Sequence, residues 1–139
     1  MKKKVVNYVN NKTLYEVLKV YHKEYHEAKE NGTELPRIPE YAGLAIQLIA
    51  NKLASKSNFS GYSFKEEMIS DGIENCILYL YNFNPEKTNN PFAYITQVIK
   101  FAFIRRIQKE ERQQYIKLKL RQSYQIDHFD TCAQVEDMN

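Results

Sequence analysis

Aromatic and cationic side chains are interleaved along the segment 94–112. On a helical wheel, one stripe of this segment consists of Tyr94, Gln97, Val98, Phe101 and Arg105. An apolar set lies on or beside the opposite side, and it consists of Ile95, Ile99, Ala102, Phe103 and Ile107. A helix of a small bundle buries only one such stripe. If the apolar set packs inward, Tyr94 and Phe101 are exposed rings beside the cations Lys100, Arg105, Lys109 and Arg112.

This combination of rings and cations suits single-stranded nucleic acid. Bases stack on the rings, each contributing about 1–3 kcal/mol, while the cations follow the phosphates. The charge is concentrated in the same region, since residues 100–121 hold eight Lys/Arg and two Glu, a net +6. Residues 122–139 hold no Lys/Arg and four Asp/Glu, a net −4. The sequence leaves open the alternative that the rings are core and the cations a solvated rim.

A second polar surface is predicted on the helix before this one. Its members are Glu66, Glu67, Ser70, Asp71, Glu74 and Asn75, on the side opposite Met68, Ile69, Ile73 and Ile77. The acidity of this face disfavours nucleic acid and suits a basic protein partner. An ordinary solvated face is the alternative.

Catalytic and metal-binding patterns are weak. The sequence has no Gly-rich phosphate loop, no Gly-x-Ser-x-Gly elbow and no Cys-x-x-Cys pair. His22 and His26 have a spacing that can hold a metal, but Lys23 stands where a zincin has glutamate, and no third ligand is evident. Cys76 is expected to be a small core residue, and Cys132 has no basic neighbour to activate it. We therefore expect no enzyme activity, no metal and no cofactor, and a metal-dependent enzyme is a remote alternative.

Composition indicates a single globular domain with a tail. The chain has 139 residues, of which 43% are hydrophobic and 27% charged. It contains no uncharged run long enough for a membrane span, and its two cysteines match no disulfide framework. These features predict a protein of the cytoplasm that does not enter a membrane.

The apolar spacing predicts helices only, and no period-two pattern persists. We expect a first helix over 12–30, stopped by Asn31-Gly32, and a second from Pro39 to about Ser55. The second should bury Leu44, Leu48, Ile49 and Leu53.

The third predicted helix begins near Ser63, with Glu66 as its capping-box partner, and runs to about Asn82. The fourth begins with Asn90 as cap and Pro91 as first residue, and it continues past Lys119. The predicted fold class is all-α, a small helical bundle with a long basic C-terminal helix and a flexible acidic tail. The predicted divisions are an N-terminal helical extension (1–35), a helical domain (36–121) and the tail (122–139).

Three segments together resemble conserved region 2 of bacterial sigma factors. They are Glu66-Glu67-Met68-Ile69-Ser70-Asp71-Gly72, Tyr81-Asn82-Phe83-Asn84-Pro85-Glu86-Lys87 and Pro91-Phe92-Ala93-Tyr94-Ile95-Thr96. With the run 101–109, the sequence is similar to the late-transcription sigma factors of T-even-type bacteriophages, most strongly over 36–115.

The resemblance implies a transcription initiation factor without catalytic turnover, made by a phage and acting in the cytoplasm of an infected bacterium. It implies that Glu67, Ser70, Asp71, Glu74 and Asn75 bind bacterial core RNA polymerase, on the clamp helices of its largest subunit. It also implies that the residues of the stripe read and melt a −10-like, AT-rich late promoter element by binding its non-template strand. These are Tyr94, Gln97, Val98, Lys100, Phe101 and Arg105, with Lys109 and Arg112 beyond them.

The chain also departs from the sigma pattern. Primary sigma factors have two tryptophans at the positions of Gln97 and Val98, and this chain has no Trp. No helix-turn-helix follows to read a −35 element, so a co-activator is an expected partner. Phage late factors also bind a sliding clamp through their C-terminal end, where this chain has no hydrophobic anchor cluster. Alternatives are a polymerase-binding regulator or adaptor without promoter specificity, and a plain helical interaction module.

Overall fold

The computed structural model describes the backbone of residues 9–137 and the side chains of residues 9–125. Over this range the protein is all-helical, which confirms the predicted fold class. The helices are α1 (Asn11–Asn31), α2 (Glu40–Ala54), α3 (Lys65–Tyr79) and α4 (Pro91–Asp137), and a 3₁₀ turn (Leu80–Asn82) follows α3. Within the described range, no helix has both the length and the apolar character needed to span a membrane.

The chain divides after Ile104 into two units. The first contains α1, α2, α3 and the beginning of α4, so α1 belongs to the same unit as the helices after it. The second unit contains the remainder of α4.

The ends of α1 are set by local hydrogen bonds and by one glycine. The side chain of Asn10 accepts from the backbone N–H groups of Lys12 and Thr13, at 3.1 and 3.2 Å. Gly32 takes a left-handed conformation with φ of 66°, which a residue without Cβ adopts at little cost. The predicted stop at Asn31-Gly32 is confirmed.

The buried side of α2 differs from the prediction. Ile49 and Leu53 are buried as expected, but Leu44 and Leu48 are 53% and 37% exposed. The buried positions instead include Ile46 and four alanines: Ala42, Ala45, Ala50 and Ala54. Because α2 packs against both α1 and α3, small side chains at these positions let the helices approach closely.

The start of α3 also differs from the prediction. Phe64 occupies the N-cap position, and no side chain caps the helix, so the predicted capping box of Ser63 and Glu66 is wrong. The helix buries Met68, Gly72 and Cys76. A Cβ added at Gly72 would lie 2.8 Å from Phe103 Cε1 and 2.9 Å from Ile99 Cγ2, so α3 and α4 meet there at close range.

The predicted start of α4 is confirmed. The Asn90 side chain accepts from the backbone N–H of Ala93 at 3.1 Å, and Pro91 is the first helical residue. The structure adds a partner from α1: the Asn11 side chain accepts from the N–H of Phe92 at 3.0 Å and donates to the Asn90 side chain at 3.0 Å. The first turn of α4 is therefore capped by two asparagines, one directly before the helix and one from α1.

The far end of α4 extends further than predicted. The backbone remains helical through Asp137, across most of the segment 122–139 that we expected to be a tail. The physical reason is that residues 92–137 contain neither Gly nor Pro, so nothing in the sequence breaks the helix.

Candidate functional site

The beginning of α4 buries the apolar set and exposes much of the other stripe. Ile95, Ile99 and Phe103 are fully buried, and Ala102 is nearly so. Phe101 is 50% exposed. Gln97 and Lys100 are exposed and Val98 is half-buried. Of the two arrangements that the sequence left open, the structure has these four apolar residues packed inward, and Phe101 presents an aromatic ring to solvent.

Tyr94 is less accessible than expected. Its side chain is half-buried, and its ring packs on that of Phe83 with 5.4 Å between the ring centroids. Its hydroxyl donates to the backbone carbonyl of Tyr79 at 2.9 Å. Burial raises the pKa of this hydroxyl, with smaller contributions from Cys76 and Tyr81. The prediction of an exposed ring is wrong for Tyr94, because its ring packs on the buried Phe83 and its hydroxyl reaches the end of α3.

The second unit carries the remaining predicted cations. Arg105, Lys109 and Arg112 are exposed, whereas Arg106 pairs with Glu110 one turn later at 3.3 Å. From Glu111 to Gln125 every side chain is exposed. This part of the helix therefore offers charge in every direction.

The acidic face of α3 is accessible. Glu67, Ser70 and Glu74 are exposed, while Asp71 and Asn75 are half-buried. The Asn75 amide donates to the backbone carbonyl of Asp71 at 2.9 Å, which fixes its orientation along the helix. The face is a row of acceptors on α3, and the exposed Phe101 lies on α4, which packs directly against α3 at Gly72.

The two histidines of α1 form a contact with each other. The rings of His22 and His26 are edge to face with centroids 4.2 Å apart. The pKa of His22 is lowered by partial burial and then by His26, and Glu86 opposes this shift. Among the residues that the structure describes, no three His, Cys, Asp or Glu side chains are grouped to hold a metal.

One feature of the first unit was not predicted: a cleft of about 700 Å³ between α1 and the loop that leads to α4. Its lining residues are Tyr15, Lys19, His22, Lys23, Pro85 and Glu86. The α1 residues recur at three- and four-residue spacing, which is a signal for a shared face. That the loop at Pro85 forms the other wall depends on tertiary packing, for which the sequence has no signal.

No protein-family model matches the chain, and no curated protein is significantly similar to it.

Proposed function

We propose that this protein is a sigma-like transcription initiation factor of a bacteriophage. It binds bacterial core RNA polymerase through the acidic face of α3, and it recognises and melts a −10-like, AT-rich late promoter element through α4. A co-activator and a sliding clamp are further partners of this proposal. The basis is the sequence resemblance to sigma region 2 together with the accessibility of the two surfaces.

The observation that carries the proposal is the exposure of Phe101. Its chain neighbours Ala102 and Phe103 are buried, yet half of the Phe101 side chain faces solvent beside the exposed Gln97 and Lys100. Exposing a phenylalanine side chain forgoes about 1–2 kcal/mol of burial free energy, so a ring in this position calls for a partner. An unstacked base of the non-template strand is a partner of the right shape and chemistry.

Strand separation then follows from binding alone. Taking a base out of the duplex stack costs a few kcal/mol, and stacking on a protein ring returns about 1–3 kcal/mol of that. Arg105, Lys109 and Arg112 contribute phosphate contacts from the second unit. Because few phosphates are contacted, the isolated protein should bind duplex DNA weakly and with a modest dependence on salt.

The acidic face of α3 supports the polymerase part of the proposal. Glu67 and Glu74 are exposed carboxylates on one side of α3, with Ser70 and Asp71 between them. Such a row complements a basic helical surface, and charge complementarity of this kind selects the partner and speeds encounter.

A polymerase-binding adaptor without promoter specificity is the second candidate. It is favoured by the position of Tyr94, whose ring and hydroxyl are both engaged inside the protein. This leaves Phe101 as the exposed ring of the predicted stripe. The adaptor would need the acidic face but not Phe101.

Run-off transcription with bacterial core polymerase on an AT-rich late promoter tests both candidates, with binding to core measured in parallel. Asp71→Lys should abolish core binding and Glu74→Lys should weaken it, whereas Glu24→Lys on α1 is a control with the same charge change. Phe101→Ala should leave core binding unchanged and reduce promoter opening by about 5- to 150-fold, the equivalent of 1–3 kcal/mol. Leu44→Ala is its control, because Leu44 is similarly exposed on α2.

The possible results separate the candidates. If the Asp71 and Phe101 variants both initiate normally, the proposed roles are wrong. If core binding needs Asp71 but the protein opens no promoter, the adaptor is the correct function.

A further inference from the structure

The cleft between α1 and the loop before α4 has walls that are held in place. The Tyr15 hydroxyl donates to the backbone carbonyl of Pro85 at 2.8 Å and so ties the loop to α1. The Asn84 side chain accepts from the N–H of Glu86 at 3.0 Å, and the Asn84 backbone carbonyl accepts from the N–H groups of Lys87 and Thr88. The cleft is therefore formed before any ligand arrives, which lowers the entropic cost of binding.

The two walls carry different chemistry. Lys19 and Lys23 are exposed and lie one turn apart on α1, so their ammonium groups share one side of the cleft. Glu86 supplies a carboxylate from the loop. Between them lie the half-buried rings of Tyr15 and His22.

A ligand that matches all of these groups needs three parts. It needs an anionic end for the lysines, because ammonium groups bind phosphate as point charges. It needs a flat ring to lie against Tyr15 or His22, and hydrogen-bond donors to face Glu86. A nucleotide has all three, since its sugar hydroxyls and base amines are the donors.

We propose that this cleft binds a nucleoside phosphate, with Lys19 and Lys23 on the phosphates and Glu86 on a sugar or base donor. The cleft volume of about 700 Å³ lies in the range of small-molecule sites. The proposal uses different residues from those of the transcription proposal and does not depend on it. Partial burial and then His26 lower the pKa of His22, although Glu86 opposes them, and the exposed Lys19 and Lys23 supply the positive charge of the cleft.

The test is a titration of the full chain with nucleoside triphosphates, in which calorimetry measures the affinity and amide chemical shifts locate the site. Saturable shifts are expected at Lys19, His22, Lys23 and Glu86. Lys19→Ala and Lys23→Ala should each weaken binding about tenfold, the usual effect of removing one charged contact to phosphate. Lys29→Ala, the same substitution further along α1 and outside the cleft, should leave the affinity unchanged.

Glu86→Gln distinguishes a nucleotide from a simple anion. The substitution should weaken nucleotide binding, because the charged carboxylate with two acceptor oxygens is replaced by a neutral amide with one acceptor oxygen for the sugar or base. It should strengthen the binding of inorganic phosphate, because a repelling charge is removed. Wild-type protein should bind inorganic phosphate and an unphosphorylated nucleoside at least about tenfold more weakly than the triphosphate.

Several results would overturn the proposal. One is the absence of saturable shifts with millimolar nucleotide. Another is equal affinity for inorganic phosphate, which would make the cleft a general anion site. A third is a short single-stranded oligonucleotide shifting the same residues at lower concentration than any mononucleotide, which would identify the phosphate as that of a nucleic acid.

Discussion

Replacing Gly72 by alanine should destabilise the first unit although alanine is the better helix former. A Cβ at this position would lie 2.8 Å from Phe103 Cε1 and 2.9 Å from Ile99 Cγ2. Both distances are shorter than an ordinary carbon contact of about 3.5–4.0 Å. The added methyl group therefore has to displace one side chain or separate α3 from α4.

The magnitude follows from how little these neighbours can move. Phe103 and Ile99 are both fully buried, and the Phe103 ring also packs edge to face on Phe59 with centroids 5.3 Å apart. Ile99 is β-branched and stiff at its first side-chain torsion. Overpacking costs about 1–3 kcal/mol, and two neighbours that are held in place put this site in the upper part of that range, about 2–3 kcal/mol, of which the higher helix propensity of alanine returns about 1 kcal/mol. We expect Gly72→Ala to lower the free energy of unfolding by about 1–2 kcal/mol.

Gly43→Ala in α2 is the matched control. A Cβ at Gly43 meets nothing within 4 Å, so the same substitution should raise the free energy of unfolding by about 0.5–1 kcal/mol. Urea denaturation followed by far-UV circular dichroism measures both variants, and their free energies of unfolding should differ by about 1.5–3 kcal/mol. A Gly72→Ala protein as stable as the wild type would refute the close approach of α3 and α4.

Two further measurements test burial. In urea denaturation, Phe103→Ala should lower the free energy of unfolding by about 3–5 kcal/mol and Phe101→Ala by less than about 1 kcal/mol. Equal losses for the two variants would mean that the orientation of α4 is wrong. Burial raises the pKa of the Cys76 thiol to about 12 from its ordinary 9.0, so in a Cys132→Ser chain it should resist alkylation at about pH 8 until the protein unfolds. The Cys76 thiol ionises at a lower pH in the unfolded chain than in the folded one, so the stability that its ionisation removes should be fully present below about pH 9 and lost as the pH rises towards 12. Rapid labelling of the folded protein would show instead that Cys76 is accessible.

The helix boundaries that the sequence predicted well are those set by one or two neighbouring residues. Asn31-Gly32 ends α1 and Asn90-Pro91 begins α4, because a left-handed glycine and a side-chain cap act locally. The buried stripe of α4 was also predictable, since Ile95, Ile99 and Phe103 recur at helical spacing.

The incorrect predictions concern positions that tertiary packing decides. Leu44 and Leu48 looked like core by hydrophobicity, yet α2 buries its alanines because two other helices lie close to it. Ser63 had the right spacing for a capping box, but the helix begins two residues later. Tyr94 fell on the outer stripe of the wheel, and only the position of Phe83 and Tyr79 shows that its ring is engaged.

The candidate sites also divide into those that depend on a single helix and those that depend on tertiary packing. The acidic face of α3 and the stripe that contains Phe101 follow from the periodicity of single helices, but the sequence left open whether Phe101 is exposed or part of the core. The cleft brings Glu86 of the loop into the same lining as Lys19 and Lys23 of α1, which are more than sixty positions away in the sequence. Periodicity in α1 marks one wall of the cleft and says nothing about the other.

The two parts of α4 are stabilised by different interactions, and this difference decides what each part would contribute to the proposed nucleic-acid binding. Before Arg105 the helix is held by buried side chains and by two asparagine caps, so Phe101 sits on a rigid support. Between Glu111 and Gln125 all side chains are exposed, and the contacts seen are local ones such as Lys119 over the Tyr115 ring at 5.6 Å. Local pairs on a helix contribute about 0.2–0.5 kcal/mol each, far less than a packed core. Under the proposed function, shape-specific recognition of a base would therefore fall to the first part, and the cations of the second part would suit phosphates, which demand charge but little fixed geometry.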